Sequence, residues 1–311
     1  MTQDLSYEVN SFFVNQLRDS DSFMNAFDNL NNIQKRTINY ENCSFVVQFN
    51  PARIVSASAD ITKPKSESDC FLCRSNRPAY QKVMFFTPEL EICVNPFPIL
   101  QGHLTLISSL HENQTIKSHE RELFESAAKL QGYAVFYNGA QCGASAPFHR
   151  HLQAGIADTL PIFNSIEHLK NYCSIDFKEY FGTRIFKIND GVRRFIYIES
   201  DNISSAENCF ISVTNSINSI YSQEEAPINA GCTYENGLYK AVIFPREKHR
   251  SKEYYSENQE ERYLISPGFA DMAGIIPCGR NEDFLKLSKE TLQNIMNQVC
   301  IEENKFNNIN I

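Results

Sequence analysis

The chain has 311 residues, 42% hydrophobic and 21% charged, which is ordinary for a globular protein with enough apolar mass for one large core or two modest ones. A formal net charge of −8 argues against a nucleic-acid-binding surface and leaves any anionic ligand dependent on positive charge gathered locally. No run approaches the ~20 apolar residues of a membrane span, and Met1-Thr2-Gln3-Asp4-Leu5-Ser6 lacks the basic stretch and apolar core of a leader, so a cytoplasmic protein without a membrane partner is expected.

Residues 1 to 40 carry Phe12, Phe13, Leu17, Phe23, Phe27 and Leu30 at near-helical spacing, which predicts one or two packing helices. Ser44 to Phe49 reads as a strand, and residues 56 to 69 as a polar loop. Strands follow near Val83 to Phe86, Ile92 to Asn95 and His103 to Ile107, then an amphipathic helix from about His119 to Gln131. Strands at 133 to 138 and 149 to 156 complete an antiparallel sheet with a helix packed on it.

From about residue 176 the pattern runs again in weaker form: strand Arg194 to Ile198, helix Ser205 to Tyr221, strand Ala230 to Tyr234, an Asn236-Gly237 hairpin, and strand Leu238 to Phe244. A last long helix is expected over about Asp283 to Cys300. No long linker interrupts the chain. We therefore expect an α+β fold of two intimately packed, pseudo-repeated halves, 1–175 and 176–311, the second without a His-x-His and so non-catalytic.

The stretch from Tyr137 to Gln153 concentrates the chemistry: a glycine-rich turn followed by His149-Arg150-His151-Leu152-Gln153. If 149–155 is a strand, His149, His151 and Gln153 share one face while Arg150 and Leu152 point the other way. Such a face suits phosphoryl chemistry, in which a neutral imidazole attacks phosphorus and an amide meets the charge developing on oxygen. A pair of half-buried histidines on an edge strand is the plainer reading of the same five residues.

The segment resembles the active-site motif of the galactose-1-phosphate uridylyltransferase branch of the histidine triad superfamily, with similar wording in diadenosine tetraphosphate phosphorylases and, more loosely, in GDP-L-galactose phosphorylases. The half-barrel of that superfamily has the strand and helix order read above. By this resemblance His151 is the nucleophile that becomes nucleotidylated and Gln153 holds the phosphoryl group. Asn138, Ser145 and backbone amides of the turn from Gly139 contact phosphate oxygens. Here Ala146, Pro147 and Phe148 separate Ser145 from His149, one residue more than the uridylyltransferase motif has.

Cys70-Phe71-Leu72-Cys73 has the spacing that lets two thiolates bind one tetrahedral zinc, which His111 and His149 could complete; a redox pair or two core cysteines are the alternatives. Most of the other cysteines sit in apolar patterns, where a free thiol behaves as a small hydrophobe. Some uridylyltransferases carry Cys-Phe-Leu-Cys, and their third and fourth ligands correspond to His111 and His149. His119 is the rival third ligand.

Asn95-Pro96-Phe97-Pro98-Ile99-Leu100-Gln101-Gly102-His103 resembles a nucleotide-framing stretch of the phosphorylases, which implicates Asn95; a proline-shaped loop, with His103 a satisfied structural histidine, is the plainer reading. Arg53 is a candidate phosphate contact, as are Arg246, Lys248 and Arg250, with solvated loops as the alternative. Residues 266 to 274 and the following helix are similar to the tail of the GDP-hexose phosphorylases, which lack the CxxC.

The resemblance implies a nucleotidyltransferase or phosphorylase with a structural zinc. Its donor is a nucleoside diphosphate sugar and its acceptor phosphate or a sugar 1-phosphate. Dinucleoside polyphosphate phosphorolysis and non-catalytic nucleotide-sugar binding are the alternatives, and a homodimer is an allowed assembly.

Overall fold

The computed structural model describes residues 3–54, 66–180 and 182–311. Two helices open it, α1 (Ser6–Arg18) and α2 (Asp21–Asn32), the second burying Phe23, Phe27 and Leu30 from successive turns of one face. The hairpin β1 (Lys35–Asn39) and β2 (Ser44–Phe49) follows. The polar loop expected over 56–69 lies mostly outside the described residues.

Next come β3 (Met84–Phe85), β4 (Leu90–Val94), β5 (Leu104–Ser108), helix α3 (Glu120–Lys129), β6 (Tyr133–Asn138) and β7 (His151–Ile156). After helix α4 (Pro161–Tyr172) the same succession recurs as β8 (Ser174–Tyr180), β9 (Thr183–Asn189), β10 (Arg194–Ser200), helix α5 (Ile203–Tyr221), β11 (Ile228–Glu235) and β12 (Leu238–Pro245). The chain closes with α6 (Phe269–Met272), β13 (Ile275–Cys278), α7 (Asn281–Lys286), α8 (Lys289–Val299) and α9 (Glu303–Asn307).

One ten-stranded antiparallel sheet runs β3-β4-β5-β7-β6-β11-β12-β10-β9-β8. Counted inward from either edge, the strands are the first, second, third, fifth and fourth of their run, and the two fourth strands, β6 and β11, meet in the middle with Asn138 opposite Asn229. Each run inserts its helix after its third strand, and α3 and α5 pack on the same face, closing Phe124 against Phe210. The opposite face is covered by α4, α6, α7, α8 and a small sheet of order β1-β2-β13, around Phe136, Phe244 and Phe269. This second face also carries the functional side chains. Among the described residues no helix is long and apolar enough to cross a membrane.

Three sequence expectations change. The strand expected from 149 begins at His151, and His149 sits in the turn before it. The long C-terminal helix is two helices, because Ser288 caps the second by accepting from the Thr291 amide and the chain is extended at Leu287. Strands β8 and β9 and helix α4 were not foreseen. β8 is an outermost strand with nearly every side chain exposed, so it lacks the one-sided apolar alternation that marks a strand in sequence.

Candidate active site

β7 lies between β5 and β6, with His151 opposite Ile107 and Gln153 opposite both Thr105 and Phe136. Its pleat sends Leu152 into the core under α3, while Arg150 bonds Glu112 (2.7 Å), Glu122 and Ser108. His151 and Gln153 project from the other face. Gln114 fixes the backbone here, accepting from the His151 amide (2.8 Å) and donating to the carbonyls of His151 (3.0 Å) and Asn138 (2.8 Å).

His151 is 2% exposed, and its Nδ1 donates to the His149 carbonyl at 2.8 Å. Its Nε2 is buried and has no hydrogen-bond partner among the described residues. Burial is the main cause that pushes this imidazole down to about 4, so it is neutral at neutral pH. With the proton fixed on Nδ1, Nε2 presents a lone pair, the state a nucleophilic histidine requires. Beside it, Gln153 Oε1 lies 2.9 Å from His103 Nε2.

Positive charge gathers around this face. Arg53 is near enough to His103, His249 and Asp271 to bias their protonation. Arg250 Nε donates to Ser266 Oγ (2.9 Å), and its guanidinium lies 4.1 Å from the centre of the Tyr254 ring. Ser266 Oγ is also 2.8 Å from His249 Nε2. Burial, then the charges of Arg250, Arg246 and Arg53, hold His249 down at about 3. Asp271 is 2% exposed, and burial pushes it up to about 6 against the pull of Arg53.

The remaining expected contacts divide. Arg246 is fully buried and spends its donors on the carbonyls of Val299 (3.0 Å), Pro267 (3.1 Å), Lys248 (3.3 Å) and His249 (3.2 Å) and on Asn229 Oδ1, so it offers the site charge rather than hydrogen bonds. Lys248 is exposed and turns to Gln298 (3.3 Å). Asn95 shapes its own loop, accepting from the Phe97 amide (2.9 Å) and donating to Thr105 Oγ1 (3.2 Å), the residue opposite Gln153.

Cys70, Cys73, His111 and His149 bring two sulfurs and two ring nitrogens within 4.8 Å of one another, an arrangement that could hold a metal ion. Cys70 Sγ is 3.3 Å from His149 Nδ1, and Cys73 Sγ is 3.2 Å from His111 Nδ1 and 3.5 Å from His149 Nδ1. Ligands bound at 2.3 Å (sulfur) and 2.0–2.1 Å (nitrogen) to a tetrahedral ion stand about 3.6 Å apart, so the donor set fits. His149 Nε2 donates to the Ser108 carbonyl (3.0 Å), which leaves Nδ1 as the ligand atom. Burial raises the Cys70 thiol, but its contact with His149 and hydrogen bonds from the Leu72 and Cys73 amides prevail and bring it to about 6. His119 stands apart, against Glu122 (3.3 Å).

Residues 12–156 match a family model described as domain of unknown function DUF4922, and residues 166–311 match the GDPGP1-like C-terminal domain. Yeast Ap4A phosphorylase Apa2 in complex with AMP superposes with a TM-score of 0.64 at 16% identity, over 97% of this chain and 98% of that one. The same yeast protein in complex with Ap4A gives 0.64 at 15% identity, over 97% and 99%. No curated protein sequence matches the chain. The C-terminal half thus matches a GDPGP1-like domain, and the whole chain shares the fold of yeast Ap4A phosphorylase.

The glycine-rich turn that starts at Gly139 is held from behind. Gly139 donates to the Ile228 carbonyl (3.0 Å), and a Cβ there would come within 2.9 Å of that oxygen. Gly143 has φ +108° and packs against Gly268, whose Cα would be 2.8 Å from an added Cβ. Asn138 Oδ1 accepts from Asn229 (2.8 Å) and from the Phe269 amide (2.6 Å), tying the turn to α6. Ser145, in the same turn, is exposed.

Three residues of the site were missed in sequence. His249 sat in a run of cations and was read only for its neighbours, Gln114 was unremarkable in a loop, and His103 passed as structural. Only the G-H pair ahead of a strand hinted at the last.

Proposed function

We propose that this chain is a nucleotidyltransferase working by double displacement. Neutral His151 attacks the α phosphorus of a nucleoside diphosphate sugar through Nε2 and expels the sugar phosphate. A nucleotidyl-histidine forms, and phosphate or a sugar 1-phosphate takes the nucleotide. The observation that carries this reading is the buried, unpartnered Nε2 of an imidazole whose other nitrogen is engaged with a backbone carbonyl. Gln153 meets the developing charge, with Asn138, Ser145 and the 139–145 turn along the donor phosphates and Asn95 at the nucleoside. Arg53 and Arg250, with the charge of buried Arg246, serve the acceptor anion. This local concentration offsets the net charge of −8.

The cluster of Cys70, Cys73, His111 and His149 fits zinc, for which two thiolates and two imidazoles make a closed tetrahedral set. Such an ion would brace the turn that carries His149 and leave catalysis to His151. We assign 1–175 as the catalytic half and 176–311 as the half that closes the sheet and supplies His249 and Arg250. The yeast protein of the same fold was captured with Ap4A and with AMP, which puts dinucleoside polyphosphates beside nucleotide sugars among the donors to try.

Donor incubated without acceptor should add one nucleoside monophosphate to the protein mass, acid-labile and base-stable as a phosphoramidate is. His151→Asn should abolish the adduct. A wild type that binds donors yet forms no adduct and turns over no acceptor would make this a binding protein.

A further inference from the structure

We infer that His103 is a positioning residue that decides which end of the Gln153 amide faces the reacting phosphoryl group, a role that rests on the nucleotidyl-transfer reading. A glutamine amide has an oxygen end that accepts and a nitrogen end that donates, nearly equal in size, so packing alone does not choose between two orientations 180° apart. One orientation offers two N–H donors to the phosphoryl oxygens. The other presents a carbonyl oxygen to the same negative charge and repels it.

The choice is made by a chain of hydrogen bonds with one allowed polarity. The Ile99 amide, 3.3 Å from His103 Nδ1, can only donate, so Nδ1 must be the ring's lone-pair nitrogen. His103 has one proton to place, since burial, reinforced by Arg53, holds the ring near 4 despite the bond to Gln153. That proton is therefore on Nε2, 2.9 Å from Gln153. An N–H needs an acceptor, so Oε1 is the end turned to His103 and the NH2 is turned away.

The ring has no freedom to relax from this task. It is 2% exposed, its own carbonyl accepts from the Asn95 amide (3.0 Å), and it lies nearly parallel to Phe136 (25°, centroids 6.2 Å apart), which in turn stacks on Phe269 (4.9 Å). The proline-bounded loop from Asn95 to His103 thus aims a backbone N–H whose direction reaches the phosphoryl group through two side chains. No proton moves along this chain during the reaction. His103 acts through Gln153 and touches no substrate.

The test is a double-mutant cycle on the rate of nucleotidyl-protein formation. His103→Phe keeps a ring against Phe136 but removes the donor, and should slow the adduct step roughly 10-fold to 100-fold while donor affinity changes less than about threefold. In the Gln153→Ala background, His103→Phe should cost almost nothing further. With Gln153 intact, His103→Gln, which can donate, should keep much of the wild-type rate. Equal losses in both backgrounds would overturn the proposal. A second readout needs no turnover: nitrogen-15 NMR of the wild type should show His103 protonated on Nε2 near pH 7, whereas protonation on Nδ1 would overturn the assignment even if no adduct forms.

Discussion

The carbonyl of His149 accepts a hydrogen bond from Nδ1 of His151 at 2.8 Å, while the ring of His149 sits in the cysteine-histidine cluster with Nδ1 3.3 Å from Cys70 Sγ. One residue therefore belongs to the metal cluster through its side chain and to the nucleophile through its backbone. Whatever fixes the His149 ring also fixes the carbonyl that holds the His151 proton in place.

That relationship predicts coupled loss. Purified protein should contain about one zinc per chain. Cys73→Ser or a strong chelator should remove it, lowering Tm by roughly 5 °C or more, since losing a ligand of the native state alone destabilises by mass action. The adduct rate should fall as well. Metal analysis and calorimetry check this, and unchanged Tm with no zinc would return the cysteines to the core.

Removing the Gln153 amide should strike the transition state rather than the ground state. Gln153→Ala is expected to lower kcat by roughly 10² with little change in KM for the donor, the usual cost of one preorganised donor. Steady-state kinetics separates the two parameters; a KM effect alone would assign Gln153 to ground-state binding.

The buried histidines should make the fold acid-sensitive in a defined window. His103 and His151 stay neutral in the folded protein down to about 4 and His249 down to about 3, whereas each takes a proton below about 6.5 once unfolded. Stability attributable to them is intact above that value and is lost as pH falls toward 4, at about 2 kcal/mol per ring by pH 5. Asp271, raised to about 6, pulls the other way by about 1.4 kcal/mol over the same range. Three rings outweigh one carboxyl, so the urea midpoint should be clearly lower at pH 5 than at pH 7. An equal or higher midpoint would contradict these environments.

The cations should differ sharply in role. Arg53→Ala is expected to raise KM for the acceptor about tenfold or more. Lys248→Ala, at an exposed position facing Gln298, should change neither. Arg246→Ala should fail mainly in stability, by about 3–5 kcal/mol, because it strands the buried carbonyls of Val299 and Pro267, those of Lys248 and His249, and the Asn229 side chain. Acceptor titrations and thermal melts on the three variants sort them.

The sequence by itself determined the local elements whose pattern is strongly one-sided. Helix α2, strand β2 and the Asn236-Gly237 turn, with φ of +53° and +81°, were legible because burial on one face or a left-handed backbone demands particular residue types. The Cys-x-x-Cys spacing and the alternation of His151 and Gln153 were legible for the same reason, since chemistry there depends on neighbours in the chain.

Only the tertiary structure decided which atoms meet. Nothing local indicates that the amide of Ile99 sets the tautomer of His103, that His103 faces Gln153 across two strands, or that Arg246 is consumed by carbonyls up to 53 residues away. Hydrogen-bond polarity and burial belong to three-dimensional neighbours, and a sequence pattern carries no record of them until the ten strands are laid side by side.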